Sequence, residues 1–429
     1  MHIDGRHFNK PLLCLAAQLM IYLWGSPQPV YAAGPYLPEI ASTTSVGTAG
    51  AANPTNTYDA SAAVSNPAAM AFLQDNETAS VGAQVLAGYF KWHSDIATGG
   101  GSDSGNTGPI NLIPGLFYSG TVSEDWRIGF GLAQAFGVGA EYGDNFVGRY
   151  QAITSDLQGK GFTTSLSYQL NKQWSIGLGL AAVYTTLELS TAISTTPTKP
   201  SPTTDGKIKL DSIDGWSPQG TLGVFYSPIN SPWTVGFVYR TETRVNLKGD
   251  FIVSNLPLPS GTAKVKFEMP ERFEMGASYQ HTDALRLFVE ADYERWSQGS
   301  LVTRDLGFAP PETIDRRWRD TYRIALGSSY QLSPHSYLFT GASYDMAPAT
   351  DKNRTFDAPV DAQTRLNGAY KYKTKTSDYS VGMSIVHMGE GVIDQMIPID
   401  LNRTQTVHVK GELSSYYVLF VYASLNYHF

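Results

Sequence analysis

The chain has 429 residues, with 31 Lys or Arg against 38 Asp or Glu, which gives a formal net charge of −7. This mild acidity provides no basic surface for nucleic acid, so we expect no nucleic-acid partner. After the N-terminal leader, no run of about eighteen apolar residues occurs, which excludes a membrane protein built from helices. The 41 Gly and 25 Tyr, with few charges and short alternating apolar runs, favour an all-β protein.

Residues 1–32 have the organisation of a signal peptide. Arg6 and Lys10 form a positive n-region, residues 12–22 form an apolar run too short to cross a bilayer, and residues 30–32 (Val-Tyr-Ala) form a small-residue cleavage site. We therefore predict that the chain is exported and cleaved after residue 32.

The sequence has one cysteine, Cys14, and it lies in this leader. The predicted exported chain therefore has no disulfide, no thiolate metal site and no cysteine nucleophile. No motif for ATP or another cofactor is visible, so we expect neither a cofactor nor a bound metal.

Residues 33–77 are predicted to form a small N-terminal hatch, a plug that the rest of the chain surrounds. Within it, the stretch 59–70 consists almost entirely of small residues, which pack closely against other structure but cannot hold a fold alone. Locally, Asn66 is typical of a helix N-cap, Pro67 of a first helical residue, and Ala68 of the helix that follows. This local geometry is compatible with a plug.

Residues 78–429 are predicted to form the β-rich body, with a first strand at 78–90. A tyrosine repeatedly ends one strand before a short turn and a new strand, often one that begins at tryptophan. These tyrosines are Tyr118, Tyr168, Tyr226, Tyr279, Tyr330, Tyr372 and Tyr427, at intervals of 42 to 58 residues. A β-propeller can repeat at this period, but each blade would need four strands.

Each repeat instead holds two longer strands, one tight turn and one long polar insertion. That layout is typical of an outer-membrane barrel, and seven repeats predict fourteen antiparallel strands with both chain ends on the short-turn side. We therefore predict an all-β transmembrane barrel in the outer membrane of a Gram-negative cell, in contact with outer-membrane lipid and lipopolysaccharide.

Aromatic residues fall into two groups that predict interfacial girdles. The group at the short turns comprises Tyr118, Trp126, Tyr168, Trp174 and Trp233, and the group near the long loops comprises Trp92, Trp216, Trp296 and Trp318.

The last predicted strand, residues 416–429, alternates apolar and polar faces and ends on a free phenylalanine. Tyr417, Leu419 and Val421 lie on the apolar face, and Phe429 is the terminal residue. Such an ending resembles the signal that delivers barrels to the outer-membrane barrel assembly machinery, which we therefore expect as a partner.

Several stretches together resemble the FadL/TodX family of outer-membrane transporters for long-chain fatty acids and aromatic hydrocarbons. They are Asn66-Pro67-Ala68, Phe-Gly-Val-Gly-Ala-Glu-Tyr at 136–142, Gly-Arg-Tyr at 148–150, Trp-Arg-Asp-Thr-Tyr-Arg-Ile-Ala-Leu-Gly at 318–327 and Gly-Ala-Ser-Tyr-Asp at 341–345. The resemblance implies a fourteen-stranded barrel plugged by the hatch, with Asn66, Pro67 and Ala68 in gating. It also implies passive uptake of a hydrophobic substrate through an apolar pocket, and we expect a monomer.

The resemblance further implies a lateral exit where the third strand kinks inward. In this chain that strand is residues 126–142, and it carries Gly129, Gly131, Gly137 and Gly139. Glycine inside a strand permits bends and breaks in the ladder, so we place the kink among these four. The alternative is that they relieve crowding against the hatch.

The substrate class depends on the fifth strand, where the fatty-acid transporter has a basic residue. Residues 182–189 contain no Lys or Arg but include Glu188, beside which a buried carboxylate would be costly. This favours a neutral or aromatic substrate. Arg319 is the first candidate for a carboxylate contact, and Arg316 and Arg317 are alternatives that otherwise face solvent or lipopolysaccharide phosphates.

Two other functions compete with this interpretation. A general diffusion porin for small polar solutes would need a charged constriction and no hatch. An outer-membrane enzyme would need a Ser/His/acid arrangement or paired carboxylates, and no such spacing stands out around the exported histidines. We expect a protein that is not an enzyme.

Overall fold

The computed structural model describes residues 36–108, 110–308 and 310–429, so the predicted signal peptide at 1–32 lies outside the described residues. The strands are β1 (Glu77–Ala97), β2 (Ile110–Thr121), β3 (Trp126–Glu141), β4 (Thr154–Gln169), β5 (Trp174–Ile193), β6 (Gly206–Tyr226), β7 (Trp233–Arg240), β8 (Thr243–Ser254), β9 (Gly261–Met269), β10 (Arg272–Gln280), β11 (Leu285–Glu294), β12 (Leu301–Asp305), β13 (Glu312–Asp315), β14 (Thr321–Ser333), β15 (Ser336–Asp345), β16 (Gln363–Lys373), β17 (Ser377–His387), β18 (Ile393–Pro398) and β19 (Thr406–His428).

The strands form one antiparallel sheet that closes into a barrel. β1 pairs with β2 on one side and with β19 on the other, which leaves no free edge there. On the long-loop side five barrel strands are interrupted, so that β7 continues as β8, β9 as β10, β11 as β12, β13 as β14 and β17 as β18. The barrel therefore has fourteen strands, which confirms the predicted number.

Each wall strand alternates between a lipid-facing apolar row and an inward row. In β14, Tyr322, Ile324 and Leu326 are exposed, whereas Arg323 and Ala325 between them are buried. β19 shows the predicted alternation as well, although the strand begins ten residues earlier than residue 416, at Thr406. The period of two is therefore what places apolar residues against lipid and polar residues in the lumen.

The short-turn girdle forms as predicted. Trp174 stacks on Tyr226 with ring centroids 4.2 Å apart, and Trp126 lies 4.6 Å from Tyr168, all at the outer surface of neighbouring strands. Trp233 repeats the arrangement with Tyr279, also at 4.6 Å.

The long-loop girdle was predicted only in part correctly. Trp216 is 59% exposed and lies between Phe162 and Tyr184 at the outer surface, as expected. The prediction was wrong for Trp92 and Trp296, each 2% exposed. Trp92 occupies an inward position of β1, two residues after buried Phe90, and Trp296 lies in the loop after β11, packed against the interior.

Residues 36–76, here the N-terminal segment, contain only short helical pieces. These are Thr43–Gly47 and Ala62–Ser65 in α-helix, and Asn53–Thr55 and Pro67–Phe72 in 3-10 helix. Among the described residues, no helix is both long and apolar enough to cross a membrane. Nearly every residue from 36 to 70 is buried, because the segment contacts wall strands on all sides.

Close contact between segment and wall depends on glycines that face inward. A Cβ added to one of these glycines would come within 3.0 Å of an atom of the segment. The pairs are Gly82 with Ala41, Gly129 with Ala63 and Met70, Gly131 with Val64, Gly177 with Pro67 and Ala68, Gly223 with Asn66, Gly236 and Gly276 with Pro54, and Gly327 and Gly341 with Thr48. The segment can approach strands around the whole circumference because these positions lack side chains.

The first prediction tests this packing with Gly236→Ala. The added methyl group would overlap the Pro54 carbonyl oxygen, so we expect destabilisation by roughly 1–3 kcal/mol through overpacking. The matched control is Gly368→Ala, where the nearest atom lies 3.8 Å away. We expect Gly236→Ala to lower the temperature at which the barrel unfolds on a heated gel, and Gly368→Ala to leave it unchanged or higher. Equal unfolding temperatures for both variants would contradict the packing argument.

Candidate functional site

An apolar cavity lies inside the barrel at the long-loop end. Its volume is about 90 Å³, and inward-facing residues of consecutive strands line one side: Leu157 of β4, Leu187 and Leu189 of β5 and Leu210 of β6. Period-two alternation accounts for this wall, because Leu187 and Leu189 share a face of β5. We call this space the inner cavity.

Two tryptophans form the other side of the inner cavity. Trp296 and Trp318 meet edge to face with ring centroids 5.3 Å apart. Both come from the connection between β11 and β14, so the loop rather than a wall strand supplies the aromatic surface. A cavity lined by leucines and indole rings accepts apolar ligands and offers few hydrogen bonds.

A second, larger cavity continues outward between the long loops. This outer cavity has a volume of about 400 Å³ and is lined by apolar residues that include Ile193, Ile208 and Phe308. The two cavities share Leu189 and Ile314, and also Arg304, Arg316 and Asp357. They therefore adjoin each other, and a group of charges lies at the waist between them.

The charges at the waist are paired. Arg316 donates to Asp357 at 2.6 Å and to the Thr355 hydroxyl at 2.8 Å, and its guanidinium lies 5.3 Å from the Trp318 ring. Burial alone would raise the pKa of Asp357, but the Arg316 guanidinium and these hydrogen bonds hold it below its ordinary value. The pair is therefore ionised at neutral pH, and Asp357 already neutralises Arg316.

Arg304 is the second cation at the waist. It donates to Glu312 at 2.7 Å, and Arg403 of the loop before β19 pairs with the same carboxylate. Burial lowers the pKa of Arg304. Two guanidinium groups, of Arg304 and Arg403, thus share the Glu312 carboxylate, whereas Arg316 has a carboxylate partner of its own, Asp357.

The structure places Arg319 and Glu188 away from the positions that the sequence analysis expected for them. Arg319 is exposed, donates through Nε to the Ala347 carbonyl at 3.1 Å, and lines neither cavity, whereas its neighbour Arg316 lines both. Glu188 alternates away from Leu187 and Leu189 and pairs with Lys209 at 3.2 Å. A substrate carboxylate in the inner cavity would therefore not face Glu188, and that expectation was wrong, because residues 187 and 188 lie on opposite faces of β5.

Asn66, Pro67 and Ala68 lie together in the N-terminal segment against β5 and β6. The Asn66 side-chain oxygen accepts from the Ala68 amide at 3.1 Å, which confirms the predicted N-cap, and the helix that follows is 3-10. The side-chain nitrogen of Asn66 donates to the Pro54 carbonyl at 2.7 Å and to the Val224 carbonyl of the wall at 3.3 Å. One side chain thus joins two parts of the segment and the barrel.

Wall arginines hold the rest of the segment. Arg240 donates to the Val64 and Ser65 carbonyls at 2.9 and 2.8 Å, and Arg127 donates to the Leu73 and Asp75 carbonyls, each at 2.9 Å. The Val64, Ser65 and Leu73 carbonyls lie at the ends of short helices, where they would otherwise be buried without partners. Sequence patterns gave no signal for these contacts, since each joins residues far apart in the chain.

The ladder between β2 and β3 is incomplete. It runs from Thr121–Arg127 to Leu116–Leu132 and stops there, while β3 continues to Glu141 paired with β4 but not with β2. A bulge between Gln134 and Phe136 follows directly. An opening in the ladder therefore begins after Leu132, between Gly131 and Gly137 of the four glycines among which the kink was predicted.

The four predicted glycines divide between two places on β3. Gly129 and Gly131 lie inside the intact ladder and face the N-terminal segment, as the crowding alternative described. Gly137 and Gly139 lie beyond the bulge, where β2 no longer pairs.

A proline in β2 is a further feature of this opening, and it was missed in the sequence. Pro114 lies two residues past the last β2–β3 pair, and a proline lacks the N–H that a ladder requires. This edge-strand signal was available in the sequence.

Two small cavities lie between the inner cavity and this opening in the ladder. One shares Trp296 with the inner cavity and is lined by Tyr36, Pro38 and Arg272. The other small cavity is also lined by Tyr36, Pro38 and Arg272, and it reaches Gln134 and Ala135 at the β3 bulge. Within the described ranges, no group of His, Cys, Asp or Glu is arranged to hold a metal ion.

Comparison with known proteins places this architecture in a family. The model described as outer membrane protein transport protein (OMPP1/FadL/TodX) matches residues 25–429. The long-chain fatty acid transport protein of Escherichia coli O6:H1 is 25% identical over 334 residues, which cover 69% of this chain and 73% of that protein.

Solved structures share the fold. The crystal structure of a Pseudomonas aeruginosa FadL homologue has a TM-score of 0.84 at 20% identity and covers 92% of this chain and 100% of that one. The P. putida toluene transporter TodX has a TM-score of 0.67 at 19% identity and covers 92% and 99%. The chain therefore belongs to the OMPP1/FadL/TodX family of outer-membrane proteins, which transport hydrophobic compounds and are not enzymes.

Proposed function

We propose that this protein takes up uncharged hydrophobic compounds by passive transfer. The substrate enters the outer cavity, settles in the inner cavity, and leaves sideways between β2 and β3 beside the N-terminal segment. The single observation that carries this proposal is the pair of adjoining cavities, lined largely by apolar residues, of which the inner one reaches Val138 in the stretch of β3 that does not pair with β2. This route keeps an apolar molecule out of water and delivers it to the lipid phase of the membrane.

The energetics suit such a route. An aromatic ring buries about 150 Å² or more, which at roughly 25 cal/mol per Å² contributes about 4 kcal/mol. That is enough to hold the substrate briefly and small enough for it to leave. No energy source is required when consumption inside the cell maintains the gradient.

Pairing of the charges supports the choice of an uncharged substrate. Arg316 is neutralised by Asp357 at 2.6 Å, so a substrate carboxylate in the inner cavity would have to displace that partner. Long-chain fatty acids are the second candidate. The relative that is 25% identical carries that substrate in its name, and Arg304 and Arg403 share a single carboxylate at the outer cavity.

We further propose that residues 33–77 act as a hatch gated around Asn66, Pro67 and Ala68, and that residues 78–429 act as the barrel. Burial of this trio against Gly177 and Gly223 supports that role, because a shift there must involve the wall. Of the four predicted glycines, Gly137 and Gly139 are assigned to the exit and Gly129 and Gly131 to contact with the hatch. The barrel is expected to act as a monomer assembled through its C-terminal signal.

The second prediction concerns the inner cavity and uses two neighbours on β5. Leu187→Glu places a carboxylate among leucines, so we expect affinity for a neutral fluorescent probe to fall at least tenfold. The matched control, Glu188→Gln, changes the opposite face and should stay within twofold of wild type. Competition binding on the purified barrel measures both, with toluene and oleate as competitors.

We expect toluene to displace the probe and oleate to compete weakly. Strong displacement by oleate alone would overturn the uncharged-substrate proposal, and Arg304→Gln would then be the first variant to test. Unchanged probe affinity in Leu187→Glu would show that the substrate binds elsewhere.

The third prediction concerns Asn66. Asn66→Ala removes the helix cap and two donated hydrogen bonds, and a lost cap alone costs about 0.5–2 kcal/mol. We expect faster hydrogen–deuterium exchange across residues 54–70 and altered uptake by an assembled barrel. Asn171→Ala, which removes a side-chain oxygen that accepts from the backbone amides of Gln173 and Trp174 in a short turn, should leave exchange at 54–70 unchanged. Normal exchange and uptake in Asn66→Ala would refute the gating role.

The fourth prediction tests the lateral exit by bridging β2 and β3. Pro114→Cys/Gln134→Cys continues the register of the last pair, Leu116–Leu132, into the unpaired stretch. Joined by a short bifunctional maleimide, this pair should abolish uptake that the unlinked variant retains. Leu116→Cys/Leu132→Cys joins strands that are already paired and should transport equally with and without the linker. Full uptake by the linked Pro114–Gln134 variant would exclude this exit.

A further inference from the structure

A fully buried arginine connects three of the long loops. Arg149 lies in the loop between β3 and β4, and its side chain is 0% exposed. It belongs to the Gly-Arg-Tyr stretch at 148–150, which has no part in the proposed uptake so far. Arginine is almost never fully buried unless its charge and its donors have partners, so the partners of Arg149 show what it holds in place.

All five N–H groups of the guanidinium have acceptors. The acceptors are Asp205 for Nε at 2.8 Å, the Phe146 and Gly100 carbonyls for Nη1 at 3.2 and 2.8 Å, and the Gly99 carbonyl and Tyr150 hydroxyl for Nη2 at 2.9 and 2.7 Å. Residues 99 and 100 belong to the loop between β1 and β2, and residue 205 to the loop between β5 and β6. One side chain therefore joins three loops that are far apart in the chain.

The loop between β1 and β2 can reach Arg149 because it has glycine at positions 99–101. Gly100 and Gly101 have φ angles of +66° and +100°, a region that residues with side chains rarely adopt. A Cβ added to Gly101 would also lie 2.5 Å from the Asn145 carbonyl oxygen and 3.1 Å from Nη1 of Arg149. The three glycines thus allow the backbone to present two carbonyls to the guanidinium at close range.

Arg149 and Asp205 together hold the Tyr150 side chain. The Tyr150 hydroxyl donates to Asp205 at 2.7 Å while it accepts from Arg149, whose guanidinium carbon lies 4.3 Å from the centre of the Tyr150 ring. Burial, and then the hydrogen bond to Asp205, raise the pKa of the Tyr150 hydroxyl, so it keeps its proton and remains a donor. The guanidinium and the carboxylate compensate each other, so the network needs no bound ion.

The elements that Arg149 holds form one wall of the outer cavity. The residues of this wall are Tyr150, Thr191, Ile193 and Ile208. The Arg149 carbonyl accepts from the Ala192 amide of β5 at 2.9 Å, and Asp205 directly precedes β6. The Arg149 side chain itself lines neither cavity, so it acts on the wall through its neighbours.

We propose that Arg149 is a positioning residue for substrate capture, which holds three loops in the arrangement that forms this wall before a substrate arrives. The inference rests on the proposed function, in which the outer cavity is the first place that a substrate occupies. A wall that is already ordered reduces the ordering cost of binding. Arg149 therefore affects the capture of a dilute substrate, whereas the inner cavity and the exit set the rate when substrate is abundant.

The experiment measures toluene uptake against concentration in cells that carry the full-length barrel, corrected for cells without it. Arg149→Lys keeps a positive charge beside Asp205, but a single ammonium group cannot reach acceptors in three loops. We expect the concentration for half-maximal uptake to rise at least fivefold. The maximal rate, and the affinity of the purified barrel for the neutral probe, should stay within twofold of wild type.

The matched control is Arg244→Lys, which changes an exposed arginine that also pairs with a carboxylate, Glu242, but lines neither cavity. It should leave all three quantities within twofold of wild type. An unchanged half-maximal concentration in Arg149→Lys would overturn the proposal. So would a maximal rate and a probe affinity that fall by the same factor, since general loss of structure changes all three together.

A second pair of variants disturbs the same contact without removing a charge or a donor. In Gly101→Ala the added Cβ would overlap the Asn145 carbonyl oxygen and displace the loop from Arg149, so we expect the half-maximal concentration to rise as well. Gly105→Ala is in the same loop, has no atom within 4 Å of the added Cβ, and should match wild type. Equal uptake curves for these two variants would overturn the proposal, whether or not Arg149→Lys folds.

Hydrogen–deuterium exchange on the purified barrel distinguishes this inference from the proposed function. We expect Arg149→Lys to exchange faster across residues 98–102, 145–153 and 194–205, and unchanged exchange there would overturn the positioning role. Failure of the proposed function gives a different result, because Leu187→Glu would then bind the probe like wild type while exchange in the three loops still depends on Arg149.

Discussion

Contact between a small-residue segment and a glycine-lined wall is the constraint on which the rest of this structure depends. The N-terminal segment reaches strands around the barrel only because Gly177, Gly223, Gly236 and others leave room for its backbone. A backbone held this closely loses its water, so its carbonyls need partners from the wall. Arg240 and Arg127 supply them, and the packing constraint therefore also explains why arginines point into the lumen of a membrane protein.

Those inward charges make the segment and the wall depend on each other. Glu39 of the segment pairs with Arg365 of β16 at 2.8 Å, and both side chains are almost completely buried. A buried pair contributes little net stability, but removing one partner leaves an uncompensated charge at a cost of about 3–5 kcal/mol. Withdrawal of the whole segment would break many such contacts together. A gate within this segment therefore requires a movement of only part of the segment. The passage that such a movement opens must be short.

How far the sequence could reveal this molecule follows from the range of each interaction. Period-two alternation and the tyrosine repeat predicted the fourteen strands, because both are local patterns repeated many times. The Asn66 cap was equally local, and it forms. The identity of the charged residue at the cavity depended instead on how the 295–320 loop folds over the barrel, which places Arg316 inside and leaves Arg319 exposed. The burial of Trp92 could have been predicted from the sequence, since its position in β1 alternates with exposed residues.

Tyr36 lies between the inner cavity and the stretch where β2 does not pair with β3. Its ring lies 5.5 Å from Trp296, which lines the inner cavity, and 6.5 Å from Phe136, which follows the β3 bulge and forms an isolated bridge with it. Interiors at native packing density transmit a displacement rather than absorb it. On the proposed route, a ligand that moves Trp296 would press on Tyr36, which lies between Trp296 and the stretch where β2 does not pair with β3. Under the proposed function, filling the inner cavity would then be coupled through Tyr36 to the proposed exit, while most of the N-terminal segment stays in place.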